Sequence, residues 1–274
     1  MGEALALASA SCFGITHFVN GLVARRAPGL TVSLYAQAGG TLATTIVALG
    51  WSHATPAVAA MGWGALSGAG TGIGVAFLYR AMSSGALSVV VPISDVGAVA
   101  LPVLVGIAVL GERPSPAGAI GIVLAVPALW LVSGGSTSDV AGVRDALFAG
   151  VGFAAQFLGM APIPADAGLW PIVVSRAMSV AVILPLVLAK GAPLRLASSL
   201  GVPAALAGAL GSGAIVLYWQ ATHQQLVAVT TVLAALYPAI PVLLALVFLR
   251  ERLTGRQAAG VCAAGAAIAL LALA

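Results

Sequence analysis

The chain has 274 residues, of which 61% are hydrophobic and only 7% charged, with a formal net charge of +4. A soluble domain takes roughly a quarter of its residues from Asp, Glu, Lys and Arg to dress its surface; eleven basic and seven acidic residues fall far short of that. The composition therefore excludes a water-soluble globular domain, and the scatter of the basic residues near helix ends, with no basic stripe, argues against nucleic acid as a partner.

Helix is the expected spanning form, because hydrocarbon offers no partner for a free backbone N–H or C=O. A β-barrel would show alternating segments of about ten residues, whereas the apolar runs here are long. A span needs about twenty apolar residues, and ten candidates follow in chain order. The first, 3–24, carries Cys12, His17 and Asn20; Met1-Gly2-Glu3 before it lacks the basic start of a cleavable signal, so the run is expected to stay as a span. The second, 30–50, holds Tyr35 and Gln37, and the third, 60–82, carries Gly64, Gly68, Gly70, Gly72 and Gly74 as a nearly continuous small face. The fourth, 86–110, contains Asp95 and is followed by Glu112-Arg113, and the fifth is 115–133. A Gly/Ser-rich break at 134–141 is the one linker-like stretch, dividing the chain into units 1–133 and 142–274. The sixth span, 143–162, holds Gln156; the seventh, 169–189, Arg176; the eighth, 201–222, Gly208, Gly211 and Gly213; the ninth, 226–249, Tyr237; and the tenth, 255–273, Cys262. Both cysteines fall in apolar runs and are read as small buried hydrophobes, not a disulfide framework.

Sliding the chain by 139 residues brings the halves into register without a gap. Tyr79 meets Tyr218, Pro102 meets Pro241, Gly121 meets Gly260, and Glu112-Arg113 meets Glu251-Arg252. Tyr, Pro and a Glu-Arg pair are rare in this composition, so these matches carry weight. Five spans is an odd number, so the second unit must enter the membrane from the opposite side. The expected fold is all-α: ten transmembrane helices as two inverted five-helix repeats, an arrangement found in alternating-access carriers.

A helix ending in Leu-Gly-Glu-Arg (110–113), followed by a Gly-bearing helix, and again Leu-Arg-Glu-Arg (249–252), resembles the EamA-type members of the drug/metabolite transporter superfamily. The resemblance covers nearly the whole chain. It implies a ten-helix carrier of the cell membrane (the inner membrane in a bacterium) with a substrate cavity between the halves; it names no substrate. The chain departs from the family in two places. The loop 51–56 has no Lys or Arg, and a Trp-Gly pair of the first helix stands here as Phe13-Gly14. Counting basic residues in loops favours both termini outside, whereas the resemblance implies both inside, so orientation is left open.

An ionisable group inside a span costs at least ~2.5 kcal/mol at mid-membrane on insertion scales, which makes it a functional candidate. Asp95, in Pro92-Ile93-Ser94-Asp95-Val96-Gly97, is read either as a proton-coupling carboxylate or cation binder on a cavity wall, or as the partner of a buried cation. Arg176 is read as a clamp on an anionic substrate group, as Asp95's partner across the cavity, or as an arginine snorkelling to headgroups. Its repeat mate is Gln37. His17 and Asn20 are three apart and share a face, and the repeat mate of His17 is Gln156, so the two halves offer polar groups at matching positions. Tyr35 and Tyr237 are further candidates for the cavity; Tyr79 and Tyr218 are assigned to an interfacial aromatic belt. The glycine faces are read mainly as close-packing surfaces, and Glu112-Arg113 as a helix-end ion pair or cap.

No Walker A loop, HExxH, Cys/His cluster or GxSxG is present, so ATP hydrolysis by this chain is excluded on motif grounds and no metal or cofactor is implied. The expected function is a secondary, non-ATP transporter of a small metabolite or drug-like solute, with protons as the candidate coupling ion. The alternative is a membrane-embedded lipid-handling protein or enzyme, which would need acids or histidines clustered at one interface.

Overall fold

The structure, a computed structural model, describes residues 1–51, 57–84, 87–132, 142–237, 240 and 254–272. Among these the fold is all-helical, with no strand. The helices are α1 Gly2–Ala24, α2 Gly29–Trp51, α3 Val58–Ser84, α4 Leu87–Ala108, α5 Pro116–Val132, α6 Val143–Met160, α7 Trp170–Ala189, α8 Ser198–Thr222, α9 Val227–Ala235 and α10 Gly255–Ala272, with one 3-10 turn at Ala165–Ala167. Each falls on a candidate span, within a few residues at the ends described, except that α9 closes at Ala235 where the expected span runs on to 249. The expected linker 134–141, the loop 52–56, Pro238, Pro241 and Glu251-Arg252 lie outside the described residues.

Among the described residues, five helices are long and apolar enough to cross a membrane, namely α1, α2, α3, α7 and α8. Their outer faces fit that role. Leu42, Ile46 and Leu49 of α2 and Val202 and Leu206 of α8 are each more than half exposed, a density of bare apolar side chains that water does not tolerate over such an area. The chain is a helical membrane protein.

The two units do not pack as separate bundles. The main contacts run from one unit to the other: α1 on α8, α6 on α3, α2 on α8, α7 on α3, with α2 against α7, α4 against α9 and α5 against α10. Replacing each helix by its counterpart in the other unit maps these pairs onto themselves, and also exchanges α4 on α6 with α9 on α1.

Small residues permit this intimacy, as packing without a hydrophobic drive requires. A Cβ on Gly64 or Gly68 would collide with the backbone of Pro171 or Ser175 of α7, one on Gly70 would lie 2.6 Å from the Gly152 carbonyl of α6, and one on Gly208 would run into the backbone of Ala36 of α2. Gly213 does not belong to that surface. It is exposed, and a Cβ there would meet nothing within 4 Å.

Turn contacts define the two ends of the bundle. At one, Thr31 Oγ1 donates to Pro193 O (2.9 Å) and Leu196 N–H to Tyr35 Oη (3.2 Å), joining the α1–α2 and α7–α8 turns. There α7 stops at Gly191, whose φ of +62° suits glycine; Ala192 N–H reaches back to Val187 O and Gly191 N–H to Leu188 O, a Schellman closure. At the other end both carboxylate oxygens of Glu112 accept N–H groups of α9, from Val227 (2.6 Å) and Ala228 (2.9 Å). Glu3 Oε1 accepts from Gln225 Nε2 (2.6 Å). Glu112 is thus a cap, but for a helix of the opposite unit and not for its own.

Two further expectations change. Tyr218 is fully buried, its hydroxyl 2.8 Å from Thr231 Oγ1, so it is a core residue and not part of an aromatic belt; the Tyr79 side chain lies outside the described residues. Cys12 is half-buried and Cys262 exposed, both free thiols.

Candidate functional site

A cavity of about 140 Å³ lies between the two units. Its wall draws Phe13, Thr16, His17 and Asn20 from α1, Ser33 and Gln37 from α2, Thr71 from α3, Gln156 and Phe157 from α6, Arg176 from α7, Gly208 and Gly211 from α8, and Tyr237 just beyond α9. By their positions along the helices, Thr71, Gly211 and Arg176 belong to the middle of the bundle. Asn20, Ser33 and Leu78, also on the wall, lead toward the end formed by the α1–α2 and α7–α8 turns.

Arg176 anchors the floor. It is 4% exposed, which rules out snorkelling to headgroups. Its Nη1 donates to Gln37 Oε1 (3.0 Å) and its Nη2 to Thr71 Oγ1 (3.3 Å) and Ser175 Oγ (3.4 Å). The first of these joins the two residues related by the 139-residue offset, so the sequence repeat meets itself across the cavity. Ser179 Oγ stands 2.9 Å from the same Gln37 oxygen, and Thr71 Oγ1 stands 2.5 Å from Gln156 Oε1. Four elements therefore converge on one polar cluster, each position one turn from a Gly or Ser that lets the helices close up.

Charge is poorly compensated there. Among the described residues no acid lies within ion-pair distance of Arg176: Asp145 pairs with Arg80 at 2.9 Å, Glu3 with the N-terminus at 3.3 Å, Glu112 caps α9, and Asp166 is exposed. Arg176 Nε has no hydrogen-bond partner. The expected Asp95–Arg176 pair is not formed.

Asp95 is 3% exposed and stands behind the wall rather than on it. Tyr237 Oη donates to Asp95 Oδ1 (2.8 Å), while Oδ2 has no partner. No buried cation accompanies it, so among the described residues neither expected ion pair exists. Tyr237 in turn stacks on His17, with ring centroids 4.7 Å apart and planes 20° apart, and lies 6.2 Å from Phe13. Tyr237 thus stands between the carboxyl and the cavity, with His17 stacked on its ring.

The remaining candidates divide. Asn20 is on the wall, and its Oδ1 is unpartnered. Gln156 and Gln37 are in the polar cluster. Tyr35 is elsewhere: its hydroxyl accepts from Leu196 and its ring packs with Val23 and Val32 at the turn, because it faces α8 rather than α7. Sequence reasoning missed Thr71, Ser175, Ser179 and the aromatic pair Phe13–Phe157, whose rings meet edge-on at 6.3 Å. A readable signal existed for the hydroxyls: Ser67/Thr71 and Ser175/Ser179 are each four apart and therefore share a face. For the two phenylalanines nothing distinguished wall from core.

No family model and no curated protein matches the sequence. In fold, 15 chains of solved structures match. One, described simply as the crystal structure of a protein, superposes with a TM-score of 0.76 over 99% of this chain and 96% of that one, at 16% sequence identity; the likeness is one of fold.

Proposed function

We propose that the chain is a secondary transporter of small solutes, working by alternating access between two inverted five-helix units. The observation that carries this reading is the polar floor of a cavity walled by both units inside a lipid-facing bundle, with Arg176 of one unit bonded to Gln37 of the other. Intramembrane ionisable groups are costly, and they mark substrate or ion pathways. The interlocked packing supports it further: helices that contact mainly the opposite unit convert any rocking of one unit into a change at the cavity. The resemblance to the drug/metabolite transporters points the same way.

In this scheme the wall binds solute, and Asp95, reached through Tyr237, takes up and releases the coupling proton. The cell membrane is the proposed location. Reconstitution into vesicles tests the proposal. A panel of labelled amino acids, sugars, nucleosides, carboxylates and organic cations is offered with and without a pH gradient. Gradient-dependent accumulation of at least one class is expected; no protein-dependent flux across the whole panel would overturn the carrier.

A further inference from the structure

Arg176 neither snorkels, because it is buried, nor pairs with Asp95, which Tyr237 engages instead. A guanidinium carries five N–H donors in a planar fork. Its hydrogen-bond partners among the described residues are all neutral oxygens, and its Nε has none. A buried charge left with neutral partners alone is costly. In a cavity the missing counter-ion can come from outside.

A second observation concerns the other end of the same path. Among the described residues, the turns and helix ends toward which the wall leads carry Arg25, Arg26, Arg80, Arg144, Lys190 and Arg195, all exposed, with Asp145 paired to Arg80. The opposite end carries Glu3, Glu112 and Asp166 with Arg113. A mouth rimmed by one sign of charge concentrates ions of the other sign.

Resting on the reading of this cavity as a transport site, we propose that its substrate class is a small organic monoanion: a carboxylate held by the donors of Arg176 that its neutral partners leave unengaged, with a compact apolar or aromatic body against Phe13 and Phe157. The size agrees. A cavity of about 140 Å³ is close to the roughly 150 Å³ apolar cavity that takes up benzene, so the body is a single ring or a short branched chain. Planar bidentate recognition of carboxylate is the geometry in which arginine differs from lysine.

The test is binding to the purified full-length protein in detergent, read by calorimetry and thermal shift, with benzoate, butyrate, benzamide and benzylamine as probes. Benzoate is expected to bind at least roughly tenfold more tightly than benzamide, the contribution of one charge-assisted hydrogen bond, and benzylamine not at all. Arg176→Gln should abolish benzoate binding and Arg176→Lys retain part of it; should Arg176→Gln fail to fold, the benzoate-to-benzamide ratio in the unaltered protein decides. Equal binding of benzamide, preference for benzylamine, no binding of either carboxylate, or undiminished benzoate binding by a folded Arg176→Gln would overturn the proposal. Vesicle flux separates it from the carrier reading. Benzoate binding without flux of any solute sinks the carrier and leaves the anion site; flux of a cation or neutral solute without carboxylate binding does the reverse.

Discussion

Tyr237 holds one oxygen of a buried carboxyl that has no other described partner. Removing the hydroxyl leaves a buried acceptor unsatisfied, a loss of about 1–3 kcal/mol. Tyr237→Phe, which keeps the stack on His17 but loses the hydroxyl, is therefore expected to lower the melting temperature in detergent. Asp95→Asn keeps the shape and an acceptor for Tyr237 but cannot release a proton. Gradient-driven uptake should fall at least tenfold with the melting temperature little changed; uptake at the unaltered level would remove Asp95 from the coupling. Thr71 has a different role, since its hydroxyl both receives Arg176 and touches Gln156. Thr71→Val, nearly the same shape, is expected to weaken solute binding more than it weakens the fold, measured as the ratio of affinity loss to loss of thermal stability. These side chains were partly legible beforehand. Charged and amide residues stand out in an apolar run because their burial must be compensated, which is why Asp95, Arg176, Gln37, Gln156, His17 and Asn20 could be singled out. Tyr35 could not be separated from them, because a tyrosine fits a cavity wall and a helix turn equally well.

Between residue and whole stands the helix, and here α9 is the informative element. It starts on Glu112, a carboxylate from the other unit at a site where negative charge also meets the positive end of the helix dipole. Losing such a cap costs roughly 1–2 kcal/mol. Glu112→Ala should therefore lower thermal stability, Glu112→Gln should recover part of it, and backbone amides 227 and 228 should exchange faster with deuterium; unchanged exchange there would remove the cap from the structure's support. The glycine face of α3 makes a complementary case. Leucine at Gly68 would drive a side chain into the carbonyl of Ser175, an overpacking that costs about 1–3 kcal/mol or more, while leucine at Gly213, where nothing lies within 4 Å, should leave stability within about 0.5 kcal/mol. Thermal unfolding of the two variants side by side checks the contrast. Helix positions were readable from hydropathy because lipid imposes a length on every crossing. Which glycines pack was not, because a glycine facing lipid and one facing a neighbouring backbone look identical in sequence.

At the scale of the molecule, the 139-residue offset anticipates which helices serve as counterparts, and the main packing pairs are unchanged by that exchange. What the offset does not contain is the interlocking of the units, which follows from the small faces, nor the isolation of Asp95 from Arg176, which follows from Tyr237 standing between the carboxyl and the cavity. The central claim remains that the units are inverted, and side-specific thiol labelling tests it most directly. In a Cys12→Ala, Cys262→Ala background, single cysteines are placed by Ala27→Cys in the α1–α2 turn and Ala165→Cys in its counterpart, the α6–α7 turn, and sealed vesicles are treated with a membrane-impermeant maleimide. Positions 27 and 165 are expected to react from opposite sides of the membrane; labelling of both from the same side would contradict the inverted pair of five-helix units.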